Sequence, residues 1–240
     1  MKGRRARLGF LIPPGNPTIE PEMAAMAPEG VTVHFSRMVT LDSGGTLHGQ
    51  EEHNRSQIEH LGESARLLAM AKPTVIMLAH AATSYTLGKQ AEAELLGRLQ
   101  SQYNVRFASA FGGVVAALNL LGARRLALGA PYGEEMLLKG KMRLEERGFE
   151  VVSHGRLENV TNIYDETPER AFRLGRDLDT PAVQAIYLTG LGMPTIPILE
   201  QLERDAGKPV ISAASAMMWQ ALRLAGIRDA VPGYGRLLMS

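Results

Sequence analysis

The sequence predicts an α/β protein of two similar lobes, each with a mostly parallel sheet, and three observations predict it. Short apolar runs rich in β-branched residues alternate with longer amphipathic stretches, the pattern of strands joined by crossover helices. The second half repeats landmarks of the first in the same order. The runs that read as strands end in loops of small, neutral residues, the place where open parallel sheets bind ligands.

Taken in order, Ala6–Ile12 reads as a strand stopped by Pro13-Pro14, and Val31–Ser36 reads as a second. A helix over His53–Ala71 leads to a strand at Thr74–Ala79. A helix over Leu87–Gln102 leads to a strand at Val105–Ser109 and a helix at Gly113–Leu121. The second half then gives strands at Arg125–Ala130, Glu150–His154, Gln184–Thr189 and Pro209–Ser212. Its helices are Glu134–Arg147, Pro168–Leu178, Ile196–Ala206 and Ala216–Leu224. Thr167 before Pro168 is a good N-cap followed by proline at the first helical position, and Gly148 suits a C-terminal cap. Gly140 costs its helix about 1 kcal/mol against alanine, while Met136, Leu137, Met142 and Leu144 keep an apolar face. The Met217–Trp219 segment reads as helix core.

The repeat pairs Ser109-Ala110, followed by Ala117-Leu118-Asn119-Leu120-Leu121-Gly122-Ala123-Arg124, with Ser212-Ala213, followed by Ala221-Leu222-Arg223-Leu224-Ala225-Gly226-Ile227-Arg228. Each half also opens with arginine, a short apolar strand and proline: Arg5 to Pro13, and Arg125 to Pro131. The expected lobes are residues 1–120, with 225–240 packing back on them, and 121–224.

Composition removes several function classes. Lysine and arginine number 26 against 25 aspartates and glutamates in 240 residues, so no strong basic field invites nucleic acid or an anionic membrane. No apolar run approaches the roughly 18 residues of a spanning helix. The N-terminal apolar run is too short for a signal peptide, so a cytoplasmic protein is expected. With no cysteine, disulfides, zinc-thiolate sites, iron–sulfur clusters and thiol nucleophiles are excluded. A homo-oligomer is expected from the size and apolar content.

The loops after the strands supply the candidate site. They hold Pro13-Pro14-Gly15-Asn16, His80-Ala81-Ala82-Thr83-Ser84, Pro131-Tyr132, Asn159 to Asn162, and Gly190-Leu191-Gly192. Their hydroxyls, amides and backbone N–H groups suit a carboxylate held without a full positive charge. His80 ends an apolar strand, where an imidazole can serve as general acid or base. There is no Walker motif, and Gly190-Leu191-Gly192 is a truncated glycine pattern late in the chain, so no dinucleotide is expected. His48, Glu52, His53 and His60 read as a solvated helix face rather than a metal site.

These loops together resemble a known family. Leu8-Gly9-Phe10-Leu11-Ile12-Pro13-Pro14-Gly15-Asn16-Pro17-Thr18-Ile19-Glu20-Pro21-Glu22 is similar to the opening of maleate cis–trans isomerases. His34-Phe35-Ser36-Arg37-Met38, Ala130-Pro131-Tyr132, Gly192-Met193-Pro194-Thr195 and Gly207-Lys208-Pro209-Val210 continue the match. Pro232-Gly233-Tyr234-Gly235-Arg236-Leu237 resembles the end of arylmalonate decarboxylase. Both belong to the aspartate/glutamate racemase superfamily, which implies two α/β lobes, a site between them and no cofactor. Racemases of that superfamily carry one cysteine per lobe; maleate isomerases use one as nucleophile, and arylmalonate decarboxylase keeps the second-lobe cysteine as proton donor. Here the first-lobe position falls on His80 and the second on Gly190, which excludes the thiol chemistry. The decarboxylase's hydroxyls after the first-lobe position are Ala81 and Ala82 here.

The expectation is a cofactor-free lyase acting by proton transfer next to a carboxylate of a small carboxylic or dicarboxylic acid. A maleate-type or one-base isomerase using His80, a hydrolase or hydratase in which His80 activates water, and a silent carboxylate-binding protein are the alternatives. His80 and Tyr132 are the expected catalytic residues. Pro14, Asn16, Ala81, Ala82, Thr83, Ser84, Asn162, Gly190, Leu191 and Gly192 are the expected substrate contacts.

Overall fold

The computed structural model describes residues 4–40 and 50–240. The first half runs β1 (Ala6–Ile12), α1 (Ile19–Met26), β2 (Val31–Arg37), α2 (Gln50–Glu59), α3 (Leu61–Ala69), β3 (Val75–Leu78), α4 (Ala81–Tyr103), β4 (Arg106–Ser109) and α5 (Ala110–Leu120). The second runs β5 (Arg125–Ala130), α6 (Glu134–Glu145), β6 (Glu150–Arg156), α7 (Pro168–Asp177), β7 (Ala185–Leu188), α8 (Leu199–Ala206), β8 (Val210–Ser212) and α9 (Ala213–Leu224), and α10 (Arg236–Met239) follows. Two four-stranded sheets result, in the orders β2-β1-β3-β4 and β6-β5-β7-β8. Every strand pair is parallel. The identical order is the structural form of the sequence repeat.

The expected strands form, each within two residues of its expected ends. The helices differ more. The stretch 53–71 divides at His60 into α2 and α3. The helix expected from Leu87 begins at Ala81, and Gly88 interrupts it with φ 74°. α1 and α10 had no sequence expectation. The glycine at 140 has a packing reason: a Cβ there would stand 3.1 Å from the Tyr85 ring, so the helix gives up propensity to seat a buried aromatic.

The repeated Ser-Ala landmarks start the two helices that pack on each other. Ser109 accepts from the Gly112 amide at the start of α5, and Ser212 forms a capping box with Ser215 at the start of α9. The helices approach closely at Gly113, where a Cβ would lie 2.9 Å from the Ala216 carbonyl oxygen. One continuous apolar core joins one face of β1 and β3 to the second sheet and α9, with Met217 and Met218 fully buried in it. A smaller cluster fills the other face of the first sheet under α3 and α4. The C-terminal segment touches both halves. Asp229 pairs with Arg5 at 2.6 Å, the Tyr234 hydroxyl donates to the Ala25 carbonyl, and Arg236 pairs with Glu203.

Polar straps hold the strand-end loops of the two sheets together. Asn16 Nδ2 donates to the Leu191 carbonyl at 3.1 Å, and the Thr18 hydroxyl donates to the Gly192 carbonyl at 3.0 Å. Glu22 Oε1 accepts from the Thr195 and Ile196 amides at 2.9 and 3.0 Å. Glu22 Oε2 is buried with no hydrogen-bond partner among the described residues. Burial pushes this carboxyl up to about 7, opposed by the two backbone amides.

Two outcomes follow from this packing. Gly113→Ala is expected to cost about 1–3 kcal/mol by forcing α5 from α9, read as a lower urea midpoint, despite alanine's better helix propensity. Glu22 holds its proton in the fold at pH values where the unfolded chain has lost it. Its stability contribution is therefore full below about pH 4.5 and is lost as pH rises through 7. Glu22→Gln keeps the acceptor and removes the titration. Urea unfolding at pH 5 and pH 8 is expected to show the wild type losing on the order of 2 kcal/mol more than the variant. Equal losses would mean that Glu22 is ionised throughout.

Candidate active site

Loops at the carboxyl ends of both sheets meet around one cavity. Pro13 and Asn16 follow β1, and His80, Ala81 and Ala82 follow β3. Tyr132 follows β5, Ile163 and Tyr164 follow β6, and Leu191 and Gly192 follow β7. His53 and Asn54 enter from α2. The cavity encloses ≈ 40 Å³ within ≈ 480 Å³ of empty space that reaches solvent. One water needs about 10–15 Å³ on the first measure, so the enclosed part suits a few waters or the head of a small acid. Among the described residues its lining contains no lysine, arginine, aspartate or glutamate.

His80 caps the start of α4 in an extended conformation. Its Nδ1 lies 2.9 Å from the Thr83 hydroxyl, and its carbonyl accepts from the Thr83 amide. That leaves Nε2 without a hydrogen-bond partner among the described residues. The ring lines the cavity, and the surrounding protein desolvates the imidazole. Burial, with the charge of His53 adding to it, pushes His80 down to about 3. The ring is therefore neutral near neutral pH. The first helical N–H groups, at Ala81 and Ala82, have no partner within the helix and border the same space.

Tyr132 is nearly buried, and burial pushes its hydroxyl well above the usual range. It adjoins a buried hydroxyl cluster in which Tyr85 lies 2.8 Å from the Thr189 hydroxyl and 3.2 Å from that of Tyr187. Tyr164 is pushed up to about 12, mainly by burial. Its ring is seated between Gly15 and Gly192, where added Cβ atoms would lie 3.1 and 2.8 Å from it. Both phenols therefore remain protonated donors.

Seven of the twelve expected site residues line the cavity: Asn16, His80, Ala81, Ala82, Tyr132, Leu191 and Gly192. The other five do not. Thr83 orients His80. The Ser84 hydroxyl is turned to Glu92. The Pro14 carbonyl accepts from Arg37 at 2.8 Å. Asn162 Oδ1 accepts from the Tyr164 amide at 2.9 Å and so fixes the tyrosine. Gly190 has φ 93°, and a Cβ there would stand 2.5 Å from Pro131 Cγ, so position 190 excludes any side chain.

Sequence reasoning missed Pro13, His53, Asn54, Ile163 and Tyr164. The solvated-face expectation is corrected for His53, which borders the cavity; His48 lies outside the described residues. The available signal was Asn54 and Gln57, both buried on a helix with few apolar residues, which marks a polar face turned to a polar space. Among the described residues no group of three or more histidines, aspartates or glutamates could hold a metal ion, and no helix is long and apolar enough to cross a membrane.

Comparison with known proteins agrees with this architecture. The arylmalonate decarboxylase family profile matches residues 8–238. A maleate isomerase of Nocardia farcinica is 31% identical over 241 residues, covering 97% of this chain and 95% of that protein. The arylmalonate decarboxylase of Bordetella bronchiseptica is 27% identical over 245 residues, covering 96% and 95%. Among solved structures, the Nocardia farcinica maleate cis–trans isomerase is similar with a TM-score of 0.89 and 29% identity over 98% of each chain. That structure is a serine-for-cysteine variant carrying a covalently bound succinylcysteine intermediate. An arylmalonate decarboxylase structure, 22% identical over 97% of this chain and 98% of that one, shares the fold with a TM-score of 0.82. With two parallel sheets in the same strand order, a cavity at their joined carboxyl ends and a match along nearly its whole length, this chain belongs to the arylmalonate decarboxylase family.

Proposed function

We propose that this chain is a cofactor-free enzyme that moves a proton at the carbon next to a carboxylate of a small carboxylic or dicarboxylic acid. Decarboxylation is the leading reaction, and its lobes are residues 1–120 and 121–224. The observation that carries the reading is the neutral His80 imidazole in a cavity whose described lining carries no acidic or basic side chain besides histidine, bordered by strand-end loops of both sheets. A silent binding protein would be favoured by a His80 turned into the core; it lines the cavity instead.

The chemistry follows from the lining. An uncharged, largely enclosed cavity strips water from a carboxylate and favours its departure as CO2. The electron pair left behind forms an enediolate, whose oxygens need donors that are already in place. The first-turn amides at Ala81 and Ala82 and the hydroxyls of Tyr132 and Tyr164 supply them. A neutral His80 accepts through Nε2 the acid proton of a half-protonated diacid, which leaves the departing group as a carboxylate. The enediolate carbon also needs a proton, which His80 does not carry at rest, so solvent or a second group supplies it.

Isomerisation of maleate type is the second reading, favoured by the identity to maleate isomerases. The succinylcysteine seen in one such relative has no counterpart here, because the chain has no cysteine. Position 190 would not admit one without displacing Pro131. An isomerase here works through imidazole.

Proton NMR in D2O with maleate, methylmalonate and phenylmalonate tests the reading. Loss of CO2 with one deuteron at the α-carbon is expected. His80→Ala is expected to lower turnover at least about 100-fold with an unchanged melting curve. Because a base with a value of about 3 stays deprotonated, the acid-side fall of kcat/KM belongs below pH 5. Full activity in His80→Ala, or neither turnover nor line broadening with any of the three acids, would overturn it.

A further inference from the structure

The enclosed part of the cavity, ≈ 40 Å³, falls well short of the roughly 150 Å³ in which an engineered apolar cavity holds benzene. Two large aromatic side chains bound it, and they differ in depth. Tyr132 is buried, while Tyr164 is half-buried and forms the wall on the solvent side. The Tyr164 ring is held along opposite edges by two glycines from different sheets. A Cβ on Gly15 would stand 3.1 Å from one edge, and a Cβ on Gly192 would stand 2.8 Å from the other. The notch they form is itself fastened. Arg37 donates to the Pro14 and Asn16 carbonyls on either side of Gly15, at 2.8 and 3.1 Å. Thr18 donates to the Gly192 carbonyl at 3.0 Å. Asn162 Oδ1 accepts from the Tyr164 amide at 2.9 Å and fixes the backbone that carries the ring. Widening the notch or swinging the ring out therefore gives up a hydrogen bond. Tyr164 is a rigid wall, set by both halves of the chain.

We infer that Tyr164 sets the size limit of the site: diacids whose α-carbon carries hydrogen or a methyl group enter, and those whose α-carbon carries an aromatic ring do not. The inference rests on the proposed reaction at the same site. A carboxylate that meets the first-turn amides at Ala81 and Ala82 lies at the end of β3. The rest of the acid must then fit in the enclosed space beside Tyr164. A methyl group takes up little more room than a water molecule that it displaces. An aromatic ring has to displace the Tyr164 ring, against the two fastened glycines. A clash built against one ligand and absent for another is a means of specificity.

The test uses the full chain with methylmalonate and phenylmalonate. It reads the ratio of their kcat/KM values, phenyl over methyl, so that the unequal intrinsic reactivity of the two acids cancels between variants. Tyr164→Ala is expected to raise this ratio at least about tenfold over the wild type, the scale on which relieved overpacking acts. Tyr164→Phe keeps the ring and removes the hydroxyl, and it is expected to leave the ratio within about threefold, whatever it does to the rates themselves. A lost hydroxyl donor acts on both acids alike, so a purely chemical role of Tyr164 would not separate the two variants. Tyr164→Leu takes the place of Tyr164→Ala if the latter has no cooperative melting transition. Where the wild type turns over neither acid, the same ratio is taken from dissociation constants measured by calorimetry. A ratio unchanged in Tyr164→Ala, or raised as much in Tyr164→Phe, overturns the inference and leaves the proposed function standing. A wild type that neither turns over nor binds either acid overturns the proposed function and the size limit with it.

Discussion

The site depends on the hydrogen bonds that run from residues 16–22 to the backbone of residues 191–196. A parallel sheet presents its carboxyl ends as loops, and two such sheets make a cavity only if those loops are held edge to edge. Asn16, Thr18 and Glu22 do this from one side, through polar side chains set onto backbone of the other. The same bonds settle what Asn16 can do. Its Oδ1 already accepts from the Thr18 and Ile19 amides at the start of α1, and one Nδ2 hydrogen goes to Leu191. At most one N–H is left for a ligand, so Asn16 acts first as a joint between the halves.

The second governing fact is that burial drives every titratable group in and around the cavity whose shift is resolved toward its neutral form. His80 is pushed down, Glu22 up, and the phenols of Tyr85, Tyr132, Tyr164 and Tyr187 up. In the proposed function such a site holds an anion by aligned dipoles rather than by a counter-ion. That matches a reaction whose charge shifts from a carboxylate to an enediolate. A lysine or arginine in the lining would stabilise the starting carboxylate as well as the transition state and gain little rate.

The strands were legible because short buried runs bounded by Pro and Gly are a local signal, and the repeat was legible because its landmarks are helix caps. Ser109 and Ser212 do in the structure what a Ser-Ala before an apolar helix implies. α1 was missed because Asn16-Pro17 reads as a turn, and the Asn16 cap that starts the helix is visible only once Oδ1 is placed. The start of α4 was hidden because a catalytic-looking loop and a first helical turn have the same small residues, and because Gly88 breaks the helix after it. In the site, His80 was legible from its place at a strand end. His53 was not, because α2 has too few apolar residues to announce which face is buried, and Tyr164 was not, because the notch that holds it is made by glycines far apart in sequence, Gly15 and Gly192.

The duplication offers two equivalent strand ends for chemistry, and this chain equips them unequally. The end of β3 carries His80, and α2 of the same half adds His53. The corresponding end of β7 carries Gly190, at a φ of 93° and with Pro131 filling the place a side chain would take. The second half therefore contributes shape and neutral donors through Tyr132, Tyr164 and the 191–192 backbone, and no proton-transfer group. With a strand-end imidazole on one half and none on the other, the proposed site does not flank an α-carbon in the way that one group from each strand end would. A decarboxylation, which needs only one delivery, tolerates that arrangement better than a racemisation, which needs opposite faces. This asymmetry is the ground on which the proposed decarboxylation ranks ahead of a two-base racemisation.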